Sequence, residues 1–253
     1  MDAKTIVRKL DQKLAQFANK ERAYWSKKYL KSHFEFYGAD NEAVVAIAKG
    51  FKKENKDIIT SDLWKIIDLL WQSGCHEQRA LAIKTLKLYP DLLEIKIMPR
   101  LEKLLRTSIN WDQVDEISVH LVGRVLEKDF KPGEKYLIKW SQNKNFWLRR
   151  ASLLAQLLLF RKKQGDKKLF FILAEKMLDE SKYPKNYFVT PYTEEKMGRF
   201  FIRKAIGWVL RELSAKDPQA VASFLNKNER KMSGLTYREG SRNLPKAYKN
   251  KLK

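Results

Sequence analysis

Trp111-Asp112-Gln113-Val114-Asp115-Glu116-Ile117-Ser118-Val119-His120-Leu121-Val122 decides how the chain is read. Val114, Ile117, Leu121 and Val122 recur at the three- and four-residue spacing of one helix face. Trp111 and Asp115 stand i, i+4, one above the other at the border of that face. Trp111 and Trp147 are 36 residues apart (147 − 111), and the same step backwards lands on Cys75. In this register Leu81, Ile117 and Leu153 coincide, as do Leu86, Val122 and Leu158. The same helix recurs three times with its apolar positions in phase. A period of this length predicts stacked helical pairs, an α-solenoid. Because apolar phase repeats more than identity does, an irregular helical domain is the alternative.

Outward from this core, apolar spacing stays helical and strict alternation is rare, so the expected fold is all-α. Helices are predicted over about 3–18, 20–31, 41–53, 60–72, 76–88, 91–106, 111–127, 132–141, 145–162, 167–181, 198–214, 217–227 and 236–250. Pro90-Asp91, Lys131-Pro132-Gly133 and Asp217-Pro218 mark helix starts, where the missing proline N–H costs nothing. One domain over residues 1–253 is expected, with two irregular parts. Residues 182–197 form an insert whose Pro184 and Pro191 forbid a continuous helix and whose tyrosines crowd a loop. Residues 226–253 form a strongly basic tail.

Lys and Arg number 52 against 30 acidic residues, a formal net charge of +22 over 253 residues. Such a charge repels itself and calls for a polyanionic partner. Seven Trp and ten Tyr interleaved with the cations suit nucleic acid better than a membrane surface. No apolar run approaches a membrane span; residues 153–160 are among the longest. Cys75 is the only cysteine, which rules out an internal disulfide framework and suits a reducing cytoplasm. His33, His76, His120 and Cys75 give no metal-ligand spacing, and neither a phosphate-binding glycine loop nor a nucleophile elbow is present. An enzyme built from this chain uses no metal, no cofactor and no covalent serine or cysteine.

The candidate residues each carry two readings. Asp115 is either an acid placed for chemistry or a salt-bridge partner for one of the many cations. Trp208 lies off the stripe of Ile202, Ala205, Ile206 and Val209, in line with Lys204 and Arg211. It is either an indole on a sugar-phosphate surface or a packed ring that the two cations snorkel past. Arg150, one turn after Trp147 with Arg149 between, is either a bidentate phosphate ligand or part of a solvated basic face.

Three strings, Trp111-Asp112-Gln113-Val114-Asp115, Trp147-Leu148-Arg149-Arg150-Ala151 and Phe201-Ile202-Arg203-Lys204-Ala205-Ile206-Gly207-Trp208-Val209-Leu210-Arg211-Glu212, resemble signature segments of the DNA alkylation repair glycosylases of the AlkD type. Tyr29-Leu30-Lys31-Ser32-His33-Phe34-Glu35-Phe36-Tyr37-Gly38 resembles the family's N-terminal segment, and Leu235-Thr236-Tyr237-Arg238-Glu239 the start of its last helix. After Gly38 the family often carries Thr-Pro and an Arg; here stands Ala39-Asp40-Asn41-Glu42. The resemblance implies HEAT-like helical repeats with a concave basic groove. It implies that Asp115 is the catalytic carboxylate, that Trp111 and Trp208 flank the lesion nucleotide, and that Arg150 binds phosphate. Arg149, Trp147, Lys204, Arg211, Arg203 and Arg238 are then expected among the DNA contacts. The implied activity is hydrolysis of the N-glycosidic bond of cationic N3- and N7-alkylpurines in duplex DNA. A monomer is the simplest expectation for a groove that must open to a duplex, and a bacterial-type cytosol near the nucleoid the expected place. Two other readings are weighed against it. A non-catalytic scaffold for bent or branched DNA needs the cations but not the carboxylate. A helical adaptor for acidic proteins explains the charge least well.

Overall fold

The computed structural model describes residues 2–252, and among them helix dominates; the extended pairings are two isolated bridges, Glu35 with Cys75 and Thr190 with Thr193. Lys253, the last cation of the basic tail, lies outside the described residues. The chain divides into two compact units, Met1–Leu93 and Glu94–Lys253.

The first unit contains α1 (Ala3–Ala15), α2 (Lys20–Leu30), α3 (Asn41–Glu54), α4 (Thr60–Gln72) and α5 (His76–Lys87). Short polar side chains start the first three. Asp2, Asn19 and Asp40 accept from backbone N–H groups of Lys4 and Thr5, of Arg22 and of Ala43. Asp40 is therefore the cap of α3. Ala43, Val44, Ile47, Ala48 and Phe51 make one buried stripe on α3, which packs on α5. Burial of Phe51, 1% exposed, alone contributes about 1.5–3 kcal/mol. The connection from α2 to α3 is held from below. The buried Glu77 carboxylate accepts from Gly38 N at 2.7 Å and Tyr37 N at 3.2 Å. Gly38 has φ +77, and a Cβ there would meet the Asn19 carbonyl, so only glycine fits.

The second unit contains α6 (Met98–Arg106), α7 (Trp111–Glu116) and α8 (Gly123–Lys128), the last two joined by a π-helical stretch, Ile117–Val122. Then come α9 (Phe130–Ser141), α10 (Phe146–Leu154), α11 (Leu157–Arg161), α12 (Lys167–Leu178), α13 (Glu195–Ser214), α14 (Pro218–Asn228), α15 (Gly234–Ser241) and α16 (Lys246–Lys249). Several predicted helices end differently. The stretch from 91 opens with two short 3-10 turns because Pro90 and Pro99 deny the backbone two donors. The helix expected over 145–162 breaks at Ala155 and Gln156. The helix expected over 236–250 stops at Ser241 and resumes after Pro245.

The repeat is visible in the helix starts. α5, α7 and α10 begin at His76, Trp111 and Phe146, each 35 residues after the last. Leu81, Ile117 and Leu153 are all fully buried. Leu86 and Val122 are buried likewise, while Leu158 is only half-buried.

Candidate active site

α7 opens after Asn110, whose extended backbone turns the chain into the helix, with Asp112 in the favourable first turn. Val114 and Ile117 go into the core, fully buried, which leaves Trp111 and Asp115 at its half-buried border. Immediately after Asp115 the helix widens into the π stretch. The Ser118 hydroxyl donates to the Val114 carbonyl at 2.5 Å and competes for that acceptor. Gly123 follows the stretch, at a place where a Cβ would press on the Ala155 carbonyl at 3.0 Å. Single π turns of this kind recur at functional sites.

Asp115 meets Arg150 of α10. Arg150 Nε donates to Oδ1 at 2.7 Å and Nη2 to Oδ2 at 2.8 Å, a two-pronged pair. The third prong, Nη1, donates to the Phe201 carbonyl at 2.6 Å on α13. The Arg150 side chain is 3% exposed and that of Asp115 12%. Burial pushes the Asp115 carboxyl up from its ordinary value, and the charge and hydrogen bonds of Arg150 pull against that. Both carboxylate oxygens are therefore held by one guanidinium, and the side chain keeps a small exposed part. The salt-bridge reading of Asp115 is met, and the partner is the arginine expected at a phosphate.

The other candidates fall into two groups. Trp147 and Arg149 are interior, because all nine residues of α10 are buried. Trp147 packs on Phe146 and Phe201, ring centroids 4.2 and 5.0 Å away, and its buried Nε1 has no hydrogen-bond partner. Arg149 donates to the carbonyls of Asn143, Lys144 and Tyr187 and lies against the rings of Tyr183 and Phe188. Burial pushes its guanidinium down to about 10. Where the sequence placed these two side chains against DNA, the structure uses them to back the Asp115 site and to tie down the insert. The insert carries a short turn, Lys185–Phe188, whose Tyr187 carbonyl accepts from that arginine, and a second turn, Glu180–Lys182, leads into it.

The α13 candidates are half-buried and mostly paired. Trp208 Nε1 donates to Glu212 Oε1 at 3.3 Å, and Glu212 in turn accepts twice from Arg161. Lys204 and Arg211, the two cations in line with Trp208, both donate to Glu239 of α15 at 2.5 Å. The hydrogen bond from Lys204 holds the Glu239 carboxyl below its ordinary value. Gly207 makes room for this contact, since a Cβ there would lie 2.5 Å from Glu239 Cβ. Arg203 pairs two-pronged with Glu180. Arg238 is exposed and has no carboxylate within ion-pair distance among the described residues.

The sequence model of the family described as DNA alkylation repair enzyme matches residues 10–244. This chain belongs to that family. A solved structure described as a predicted DNA alkylation repair enzyme from Enterococcus faecalis is similar to it, with a TM-score of 0.75 and 25% sequence identity. The match covers 90% of this chain and 97% of that one. No curated protein matches the chain. Membership gives the protein a role in DNA repair and makes DNA its partner. Among the described residues no helix is long and apolar enough to cross a membrane, and no group of three or more His, Cys, Asp or Glu is placed to hold a metal ion.

Three residues that matter to this geometry had no role assigned from sequence: Phe201, which contributes a carbonyl and a ring, and the carboxylates Glu180 and Glu239. For Glu239 a signal existed. It lies 35 residues after Lys204, the same interval that separates Asp115 from Arg150.

Proposed function

We propose that this enzyme is a monofunctional alkylpurine DNA glycosylase acting on cationic N3- and N7-alkylated purines in duplex DNA. The observation that carries the reading is the Asp115–Arg150 pair, a carboxylate held two-pronged and still partly exposed, on the helix that opens with Trp111. An alkylpurine cation is already a good leaving group. When its C1′–N bond breaks, the electron pair returns to the base, which departs neutral, and the sugar is left oxocarbenium-like. The exposed part of Asp115 stabilises that developing charge, as carboxylates do in glycoside hydrolysis. Water adds to C1′ and gives up its proton to solvent, with Asp115 placed to orient it. Arg150 is a positioning residue: its charge and hydrogen bonds work against the effect of burial on Asp115, and its two-pronged contact fixes the rotamer. Trp111 and Trp208 present electron-rich faces that favour a cation nearby. Lys204, Arg211, Arg203 and Arg238 supply positive charge for the phosphates, which position the duplex without reading its sequence.

The rival, a non-catalytic DNA-binding protein, draws on the same pair read as a purely structural ion pair. Base release separates the two. Duplexes carrying N7-methylguanine or N3-methyladenine are compared with duplexes carrying uracil or hypoxanthine at the same position. The glycosylase reading expects release of the two cationic bases and none of the neutral ones. Release of neither class, by protein that binds duplex with strong salt dependence, would reverse the assignment in favour of the scaffold.

A further inference from the structure

Not one residue of α2 is buried, although the helix is 11 residues long and carries three large aromatics. Tyr24 is 60% exposed, Trp25 54% and Tyr29 75%. By helical geometry the three span an arc of about 140°. Tyr24 and Trp25 meet edge to face with centroids 5.1 Å apart. Lys28 bridges them, its Nζ 5.7 Å from the tyrosine ring and 5.0 Å from the indole. Exposed aromatic surface of this extent forgoes several kcal/mol of burial and marks a contact site.

The charges on the helix sort into two sets. Arg22 and Lys27 are occupied, by Asp40 and Glu35. Lys20, Lys28 and Lys31 have no carboxylate within ion-pair distance among the described residues. Glu21 is the one acidic residue of α2, in the first turn, where the helix dipole favours it.

We propose that the α2 face binds single-stranded DNA, with unpaired bases stacked on Trp25 and Tyr24 and phosphates held by Lys28, Lys20 and Lys31. Charge selects a polyanion, and the aromatic faces select among polyanions. In a duplex the base faces are already stacked on each other, so flat rings gain nothing from it except at a gap or an end. Unpaired bases offer a face to every ring and need no sequence readout. A lipid surface fits less well, because Leu30 is the only large aliphatic residue on α2 and Lys28 sits between the rings. The site lies in the first unit and does not depend on Asp115.

The test is a fluorescence-anisotropy titration of the full-length protein with a labelled oligothymidylate, with a duplex of equal length in parallel. Trp25→Ala is expected to weaken single-strand binding by about 5- to 150-fold, the range reported per stacked base. Trp25→Phe should recover most of that loss. Lys28→Ala should lower the salt slope by about 0.7. Duplex affinity should change by less than about twofold in each variant. The proposal is overturned if Tyr24→Ala/Trp25→Ala leaves single-strand affinity unchanged, or weakens duplex binding equally. It is also overturned if the double variant lowers the melting temperature, which would make the rings packing residues. Binding to anionic vesicles that the double variant abolishes, with oligothymidylate binding intact, would replace DNA by a lipid surface.

Discussion

Replacing Arg150 with alanine removes three hydrogen bonds at once, two to Asp115 and one to the Phe201 carbonyl. Asp115 is left as a buried carboxylate with nothing to offset its burial. Breaking one side of such a pair costs about 3–5 kcal/mol, far more than an exposed ion pair would. The unit concerned has 160 residues, from 94 through 253. At about 2–4 °C per kcal/mol, the melting temperature of that unit should fall by roughly 6–20 °C. The pH dependence should also change. Burial already pushes Asp115 up, and without Arg150 the restraint is gone. A carboxyl raised in the folded state binds its proton more tightly there than when unfolded. The variant is therefore most stable in acid and loses stability as pH rises from the ordinary carboxylate value through the raised one. Urea unfolding followed by circular dichroism measures both effects. The matched control is Asp115→Leu/Arg150→Met, which removes both charges and should recover most of the loss. An Arg150→Ala cost below about 1 kcal/mol, or a double variant no better than the sum of the singles, would refute the claim that this pair is buried and coupled.

Three further expectations concern the frame around the site. Glu239→Gln should cost about 1 kcal/mol at neutral pH, discounted for the part-exposed Lys204. Because the Glu239 carboxyl is held low, that contribution is present above its ordinary value and disappears as pH falls through the depressed one. Wild type and variant should thus converge in urea melts as the pH is taken below the depressed value, which checks the sign. Gly207→Ala forces a methyl against Glu239 Cβ and the Thr236 carbonyl, 2.5 and 3.2 Å away. It should destabilise by about 1–3 kcal/mol in the same assay. Arg149→Ala frees the turns around Tyr187, so limited proteolysis within residues 183–192 should speed up by about tenfold, the equivalent of 1.4 kcal/mol of lost local protection.

The helical framework was legible because helix periodicity is a local property. The apolar phase of Leu81, Ile117 and Leu153 depends only on neighbours within a few turns, and all three are fully buried. Trp111 and Asp115 were legible as one face for the same reason. Arg149 and Trp147 were not, since a helix buried on every side leaves no polar stripe to orient it, and two adjacent arginines mimic a solvated face. The π stretch after Asp115 has no sequence pattern of its own; the Ser118 hydroxyl that donates to the Val114 carbonyl could equally sit in an ordinary helix. The Asp115–Arg150 pair lies between these cases. Both residues are the fifth of their helix, in α7 and α10, whose starts are 35 residues apart. Stacked repeats bring residues of equal rank side by side; the 36-residue period read from Trp111 and Trp147 overshoots this pair by one, and only the 35-residue spacing of the helix starts places Arg150 opposite Asp115.

The proposed chemistry stands or falls on the Asp115 carboxylate, and single-turnover release of N7-methylguanine from duplex DNA addresses it most directly. Wild type and Asp115→Asn are compared at saturating protein, with binding of the same duplex measured alongside. The account predicts release that falls by a factor of about 10 or more in the variant, at least 1.4 kcal/mol of transition-state stabilisation, with duplex affinity retained. Equal release rates in folded wild type and variant would contradict it, and Asp115 would then be no more than the partner of Arg150.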